Sequence, residues 1–239
     1  CSTASYKTPK VGIATLPGAG NAQATALVNA INGEGPNGSN TPTGAALGGA
    51  IEYVQAFKAA NPTHKVIVVL AIDGEPNGCG TLSEVVTIAK NGFAANPPVS
   101  TYVIGVGSSL SNLNQVAAAG GTSAAIIVNS GDEAQFLQAM KDIQGKSIGC
   151  EYLLPPPPTG GMLDYTKVNV KFTPTGGQPA TLPGVANAAA CTAAGGWYYD
   201  VPPPGKPTKI ELCPGTCGTV QKDQNAKVDI ELGCDTQKQ

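Results

Sequence analysis

Over the first 149 residues the apolar positions keep two alternating rhythms. Lys10–Leu16, Lys65–Ile72, Thr101–Val106 and Ala124–Asn129 are short apolar runs, rich in β-branched residues, that read as strands. Between them apolar residues return every third or fourth position, the repeat of a helix with one buried stripe. The spacing predicts helices over Ala22–Ile31 behind an Asn21 cap, over Gly44–Ala60 and over Leu82–Ala94. Two more follow, a short one over Leu110–Ala119 and one over Glu133–Ile143 behind an Asp132 cap. Leu47, Ala50, Ile51, Val54 and Phe57 form a single stripe on Gly44–Ala60, which stops at Asn61-Pro62. Strands alternating with helices predict an α/β domain, a doubly wound and mostly parallel sheet of Rossmann-like character.

The segment Val66–Gly78, VIVVLAIDGEPNG, carries the strongest functional signal. An apolar run of this kind reads as a strand buried on both faces, and it ends abruptly on Asp73 and a glycine-relaxed turn. Ligands of open α/β sheets bind at the carboxyl ends of the strands, which places Asp73 where a functional carboxylate belongs. The competing reading is a helix-capping Asp in an ordinary strand-to-helix loop.

After Cys150 the texture changes. Pro155–Pro158 reads as a stiff spacer, and no helical period follows it. Lys167–Phe172 sets Val168, Val170 and Phe172 on one face; Lys227–Leu232 does the same with Val228, Ile230 and Leu232. Trp197–Tyr199 and Lys209–Leu212 are two further strands. Five of the seven cysteines fall in this part, and its apolar content is thin for a core. The expectation is an α/β domain over 1–147 and a small disulfide-rich all-β domain over 148–239. Trp197 in the WYYD cluster reads as core packing, with sugar stacking as the alternative.

Composition narrows the function. Charged residues are 13% of the 239, the net charge is −2, and all fourteen basic residues are lysines. A nucleic-acid binder needs a basic, usually arginine-rich face, so that class is set aside. The cysteines show no paired CxxC spacing, and His64 is the single histidine, so a zinc site is not supported; disulfides in an oxidising compartment are. An odd cysteine count leaves one thiol free or paired outside this sequence. No apolar run is long enough to span a membrane. The chain opens on Cys1 without an initiator Met, which implies processing, a longer product, or a lipidated amino-terminal cysteine.

With these residues in view, 1–147 resembles a von Willebrand factor type A domain. The matches are Thr41 in TPTGAAL, Asp73 in VLAIDGEPN and the Ile104–Gly107 strand IGVG. NPTHKVIVVL, IGVGSSLSNLNQVAAAGGT, GCEYLLP and the WYYD…ELCPGTC tail are similar to secreted bacterial proteins of this type, of the myxobacterial kind. The resemblance implies a metal-ion-dependent adhesion site with Thr41 and Asp73 as ligands of Mg²⁺, or of Ca²⁺ or Mn²⁺, which keeps waters and an open position for a partner's carboxylate. Thr41 followed by Pro42 is also a favourable helix start without any metal.

The sequence departs from the family in two places. The Asp-x-Ser-x-Ser motif that closes the family's first strand occurs nowhere; Ser108, Ser109 and Ser111 follow the wrong strand. The first two strands of that fold are missing with it, so another segment is expected to supply them: an amino-terminal part of the product, a cleaved piece still bound, or a neighbouring subunit. Ile72 stands where relatives carry Thr. The resemblance also places Cys1 in a loop near Cys79 and so implies a Cys1–Cys79 bridge, leaving two bridges and one odd cysteine for the tail.

The reading is a secreted or cell-surface adhesion protein that engages a protein or matrix partner through the metal. The alternative is a structural subunit of an extracellular fibre or surface layer, self-associating by strand donation with a vestigial metal site. No enzyme is expected. Asp73 and Glu75 suit a metal and its surroundings better than acid–base work, no phosphate-cradling GxxxxGK loop occurs, and His64 lies at the opposite end of its strand from Asp73.

Overall fold

The computed structural model describes residues 1–16, 19–35, 40–62, 64–154, 163–223, 226–233 and 236–237. The chain divides into two compact units, Cys1–Ala139 and Met140–Gln239. The first is a mixed α/β unit. After a short 3-10 turn at Thr3–Tyr6 come helices α1 (Ala22–Asn32) and α2 (Thr43–Ala60), strand β1 (Ile67–Ile72), helix α3 (Leu82–Ala94), strand β2 (Ser100–Val106), helix α4 (Asn114–Ala119) and strand β3 (Ile126–Val128). Helix α5 (Glu133–Ser147) begins in this unit and ends in the second.

The three strands form one parallel sheet in the order β1-β2-β3. Register follows Val68 beside Thr101, Leu70 beside Val103 and Ile72 beside Gly105, so these residues share one face. That face carries the core. Val68, Ile72 and Val103 cluster with Leu47, Ile51 and Val54 of α2, Val85 and Ala89 of α3, and Val116 and Ala117 of α4. Local chemistry starts the helices. The Asn21 side chain accepts from the Ala24 amide at 2.9 Å, and Asp132 Oδ1 accepts from the Gln135 amide at 2.9 Å. Thr81 and Glu84 form a reciprocal capping box at α3.

Two expectations of the sequence need correcting here. Lys10–Leu16 is not a strand: it pairs with no strand among the described residues, and the Ile13 amide instead donates to the Tyr53 hydroxyl at 3.2 Å. A β-run becomes a strand only where a second strand takes its backbone groups, and among the described residues no strand pairs with it. Strand β1 is likewise not buried on both faces. It stands at the sheet edge, where only Val68 and Ile72 are buried; β2 is the central strand, with Val103, Ile104 and Gly105 all buried.

The second unit holds two three-stranded antiparallel sheets. One joins β4 (Glu151–Leu153), β8 (Lys209–Leu212) and β7 (Trp197–Tyr199) in that order; the other joins β6 (Ala180–Leu182), β5 (Val168–Thr173) and β9 (Lys227–Leu232). The unit is not all-β. Helix α6 (Pro214–Lys222) follows Cys213, started by Pro214 in the first-turn position that proline favours. Cys213 and Cys217, four residues apart, lie on one face of this turn and bond Cys191 and Cys150. The core is small: Val168, Val170, Trp197, Ile210, Leu212 and Val220. Trp197 is 1% exposed and donates its indole N–H to the Leu182 carbonyl at 3.1 Å, so it is a packing residue rather than a surface for sugar. The proline spacer at Pro155–Pro158 and the seventh cysteine, Cys234, lie outside the described residues.

Candidate functional site

Asp73 is the first residue beyond β1, at the carboxyl end of the parallel sheet. The chain then turns through Gly74–Pro76 to Asn77, which meets Thr41 in an isolated two-residue bridge. The Thr41 amide donates to the Asn77 carbonyl at 3.2 Å, and the Asn77 amide returns a bond to the Thr41 carbonyl at 3.3 Å. The Asn77 side chain tightens the pair: its oxygen accepts from the Thr41 amide at 3.0 Å and its NH₂ donates to Thr41 Oγ1 at 3.3 Å. Gly78, next in line, has φ +73° and lies where a Cβ would run into Asn40, so the turn into Cys79 needs a glycine. Cys79 is bonded to Cys1, which clamps the far side of the same loop.

These contacts bring Thr41 and Asp73 to one open cavity of about 460 Å³, lined also by Thr43, Ala46, Leu70 and Val106. Thr43, the first residue of α2, is buried, and its hydroxyl reaches the Thr41 carbonyl at 3.5 Å. Asp73 is exposed and makes no hydrogen bond or ion pair among the described residues. Glu75, two residues on, is engaged: its carboxylate accepts from the Asn112 side chain, on the 3-10 turn Ser111–Leu113 beyond β2. The two carboxylates of the loop are therefore unlike, one tied down and one open.

The donors offered to a cation are hard oxygens: one carboxylate and the Thr41 hydroxyl. Among the described residues there is no group of three or more His, Cys, Asp or Glu placed to hold a metal ion. A set of two protein oxygens fits an ion that retains most of its water, as Mg²⁺ does. Ser108 and Ser109 follow β2 rather than β1 and are exposed, and no Asp-x-Ser-x-Ser is there to add donors. His64 lies at the amino end of β1, away from Asp73, with its ring edge-on to Phe57 at 5.8 Å.

Asn77 and Asn112, which shape the site, were not legible as site residues. Asn77 stands inside the DGEPN turn, so its place beside Asp73 is a sequence signal; its partner Thr41, 36 residues away, is not. The carboxylates and the lysine whose pKa values leave their ordinary range, Asp164, Asp200, Glu211 and Lys209, lie in the second unit. Lys209 bridges Glu151 at 2.8 Å and Glu211 at 3.1 Å, and Tyr198 donates its hydroxyl to Glu211 at 2.8 Å. The Tyr198 bond holds the Glu211 carboxyl below its ordinary range, and the Glu151 bond lifts the Lys209 ammonium. Glu151, Glu211 and Tyr198 stand directly opposite one another across β4, β8 and β7, and Lys209, two residues before Glu211, shares their face and completes a polar ladder.

No protein-family model, curated protein or solved structure matches the chain. Among the described residues no helix is long and apolar enough to cross a membrane.

Proposed function

We propose that the chain is an extracellular binding protein of the von Willebrand factor type A kind, which engages a protein or matrix partner through a divalent cation at Asp73 and Thr41. The observation that carries this reading is the convergence of the two residues on one cavity at the carboxyl end of β1, with the Asp73 carboxylate unpartnered among the described residues. Mg²⁺, Ca²⁺ or Mn²⁺ bound there supplies an open coordination position for an acidic group of the partner. Thr41 is held in place by Asn77, so the chain contributes a preorganised hydroxyl and leaves Asp73 to complete the contact. Three disulfides among the described residues fit an oxidising, extracellular setting.

The test uses Mn²⁺ itself, followed by electron paramagnetic resonance of the free ion. The native chain should bind it in the range of extracellular modules, about 10⁻⁴–10⁻³ M. Asp73→Ala should weaken this at least about tenfold, and Thr41→Val by a smaller factor. Equal binding by the native chain and Asp73→Ala, or none up to about 10 mM Mn²⁺, discards the cation reading.

A further inference from the structure

The three disulfides among the described residues differ in what surrounds them. Cys213 is 0% exposed and carries its bridge to Cys191 into the interior of the second unit. Cys150 and Cys217 pack against that unit's core. Thiol–disulfide exchange needs access to a sulfur, and these two bridges are shielded. Cys1–Cys79 is placed otherwise. Cys79 stands between two exposed glycines, Gly78 and Gly80, on the loop that carries Asp73 and Asn77; Cys1 is exposed as well. Neither cysteine belongs to the apolar cluster of the first unit.

This bridge ties the site loop to helix α2. A Cβ built on Gly44 would lie 3.6 Å from the Cys79 carbonyl oxygen, so the loop backbone runs close along the first turn of α2. At the other sulfur, Cys1 leads into the turn Thr3–Tyr6, and a Cβ on Gly48 would lie 3.2 Å from the Thr3 side chain. The bridge therefore joins two segments that both rest on one helix. Thr43 opens that helix and Thr41 lies two residues before it. With the sulfurs bonded, the loop is fixed beside Thr41 at Asn77 and again at Cys79. With them apart, the surface bonds between Thr41 and Asn77 are left to hold it there.

We infer that the Cys1–Cys79 bridge is a thiol-exchange switch on the Thr41–Asp73 site, opened by a dithiol. A thiolate of the dithiol attacks one sulfur of the bridge, forms a mixed disulfide and releases the other cysteine, which takes up a proton. The second thiolate of the dithiol then attacks its own sulfur in the mixed disulfide and releases the remaining cysteine. Two electrons pass to the bridge, and the dithiol leaves as a disulfide. Closed, the bridge preorganises the loop for a divalent cation; open, ordering the loop falls to the ion, and affinity drops. The inference rests on the cation reading and adds its regulation.

The experiment treats the full chain with limiting dithiothreitol, removes the reagent by gel filtration, and assigns the freed thiols by alkylation and peptide mass. Cys1 and Cys79 should be freed at least about tenfold faster than Cys150, Cys191, Cys213 and Cys217. The opened chain should bind Mn²⁺ about three- to tenfold more weakly, and reoxidation should restore the closed value. Exchange of the Thr41 and Asn77 amides, which donate across the two-residue bridge, should quicken in the opened chain. The Cys1→Ser/Cys79→Ser double variant should bind Mn²⁺ as the opened chain does and ignore dithiothreitol, with circular dichroism confirming its fold. Equal reduction of all three bridges, or equal Mn²⁺ affinity in the closed and opened chains, overturns the switch and leaves the cation reading standing. A closed chain that binds no Mn²⁺ discards the cation reading and the switch with it.

Discussion

At the scale of single residues, a carboxylate's role depends on what surrounds it. Asp73 and Asp200 both follow a strand directly, yet one is open and the other is enclosed by donors. Burial pulls the Asp200 carboxyl upward, but the Thr208 hydroxyl at 2.6 Å, the Thr208 amide at 3.0 Å and the Lys209 amide at 3.2 Å outweigh it. The result is a group held at about 2 against an ordinary 3.8. A depressed carboxylate stabilises the fold above its unfolded value and loses that contribution as pH falls through the folded one. Asp200→Asn should therefore lower the stability of the native fold by about 1–2 kcal/mol at pH 7, discounted for partial exposure. Urea unfolding of both proteins should show that difference shrinking between pH 3.8 and about 2. If the gap stays constant down to pH 2, the Thr208 and Lys209 bonds do not hold the carboxylate.

At the scale of elements, glycines inside a helix need a reason, since each costs about 1 kcal/mol relative to alanine. The pair Gly48-Gly49 in α2 has one. The 3-10 turn Thr3–Tyr6 lies against this strip, and a Cβ on Gly49 would fall 2.5 Å from the Tyr6 carbonyl carbon and 2.8 Å from the Lys7 amide. Backbone cannot yield there as a long side chain could. Overpacking of this kind costs about 1–3 kcal/mol, which exceeds the propensity gain. Gly49→Ala is expected to destabilise the first unit, with Thr3–Tyr6 displaced; a thermal melt that rises instead would show that the turn moves freely.

What the sequence made legible follows from the range of each signal. Helices with a full apolar stripe were placed almost to the residue: Leu82–Ala94 is α3, and Gly44–Ala60 differs from α2 by one residue at its start. Lys209–Leu212 and Lys227–Leu232 are β8 and β9 as read. Those cues are local. Lys10–Leu16 carries the same local cues as a strand, but pairing is settled by a neighbour that no local pattern specifies. Helix α6 escaped for the opposite reason: CPGTCGTV has little amphipathic period, and the two disulfides at Cys213 and Cys217 hold the turn in place of an apolar stripe. Of the candidate site, Asp73 was readable from the break in its own strand, and the Thr41–Asn77 bridge beside it was not.

At the scale of the whole molecule, each described disulfide closes within one unit. The second unit depends on its pair most heavily, because six buried side chains are a modest core for about a hundred residues. The Cys150–Cys217 bridge closes a loop of 67 residues, whose removal from the unfolded ensemble corresponds to about 4 kcal/mol. Replacing both cysteines by alanine should unfold this unit before the first on heating. The readout is the fluorescence of the single tryptophan, Trp197, which is 1% exposed in the folded unit. An unchanged Trp197 transition would show that the core alone suffices.

The Cys1–Cys79 bridge has a mechanical consequence. Tension applied at Cys1 passes straight through the sulfurs to Cys79, and the chain between the two ends of the bridge, a sequence separation of 78, cannot be drawn out however hard the chain is pulled. Helices α1 and α2, strand β1, Thr41 and Asp73 all lie inside that closed loop. A chain loaded from Cys1 would thus lengthen beyond Cys79 and not within the loop. Optical-trap extension from Cys1 to the carboxyl end should gain roughly 270 Å of contour once reductant is added, at about 3.5 Å for each of the 78 residues released. Equal contour lengths with and without reductant would mean that the bridge does not carry the load. The candidate site residues sit in the part of the chain that force from this end cannot stretch.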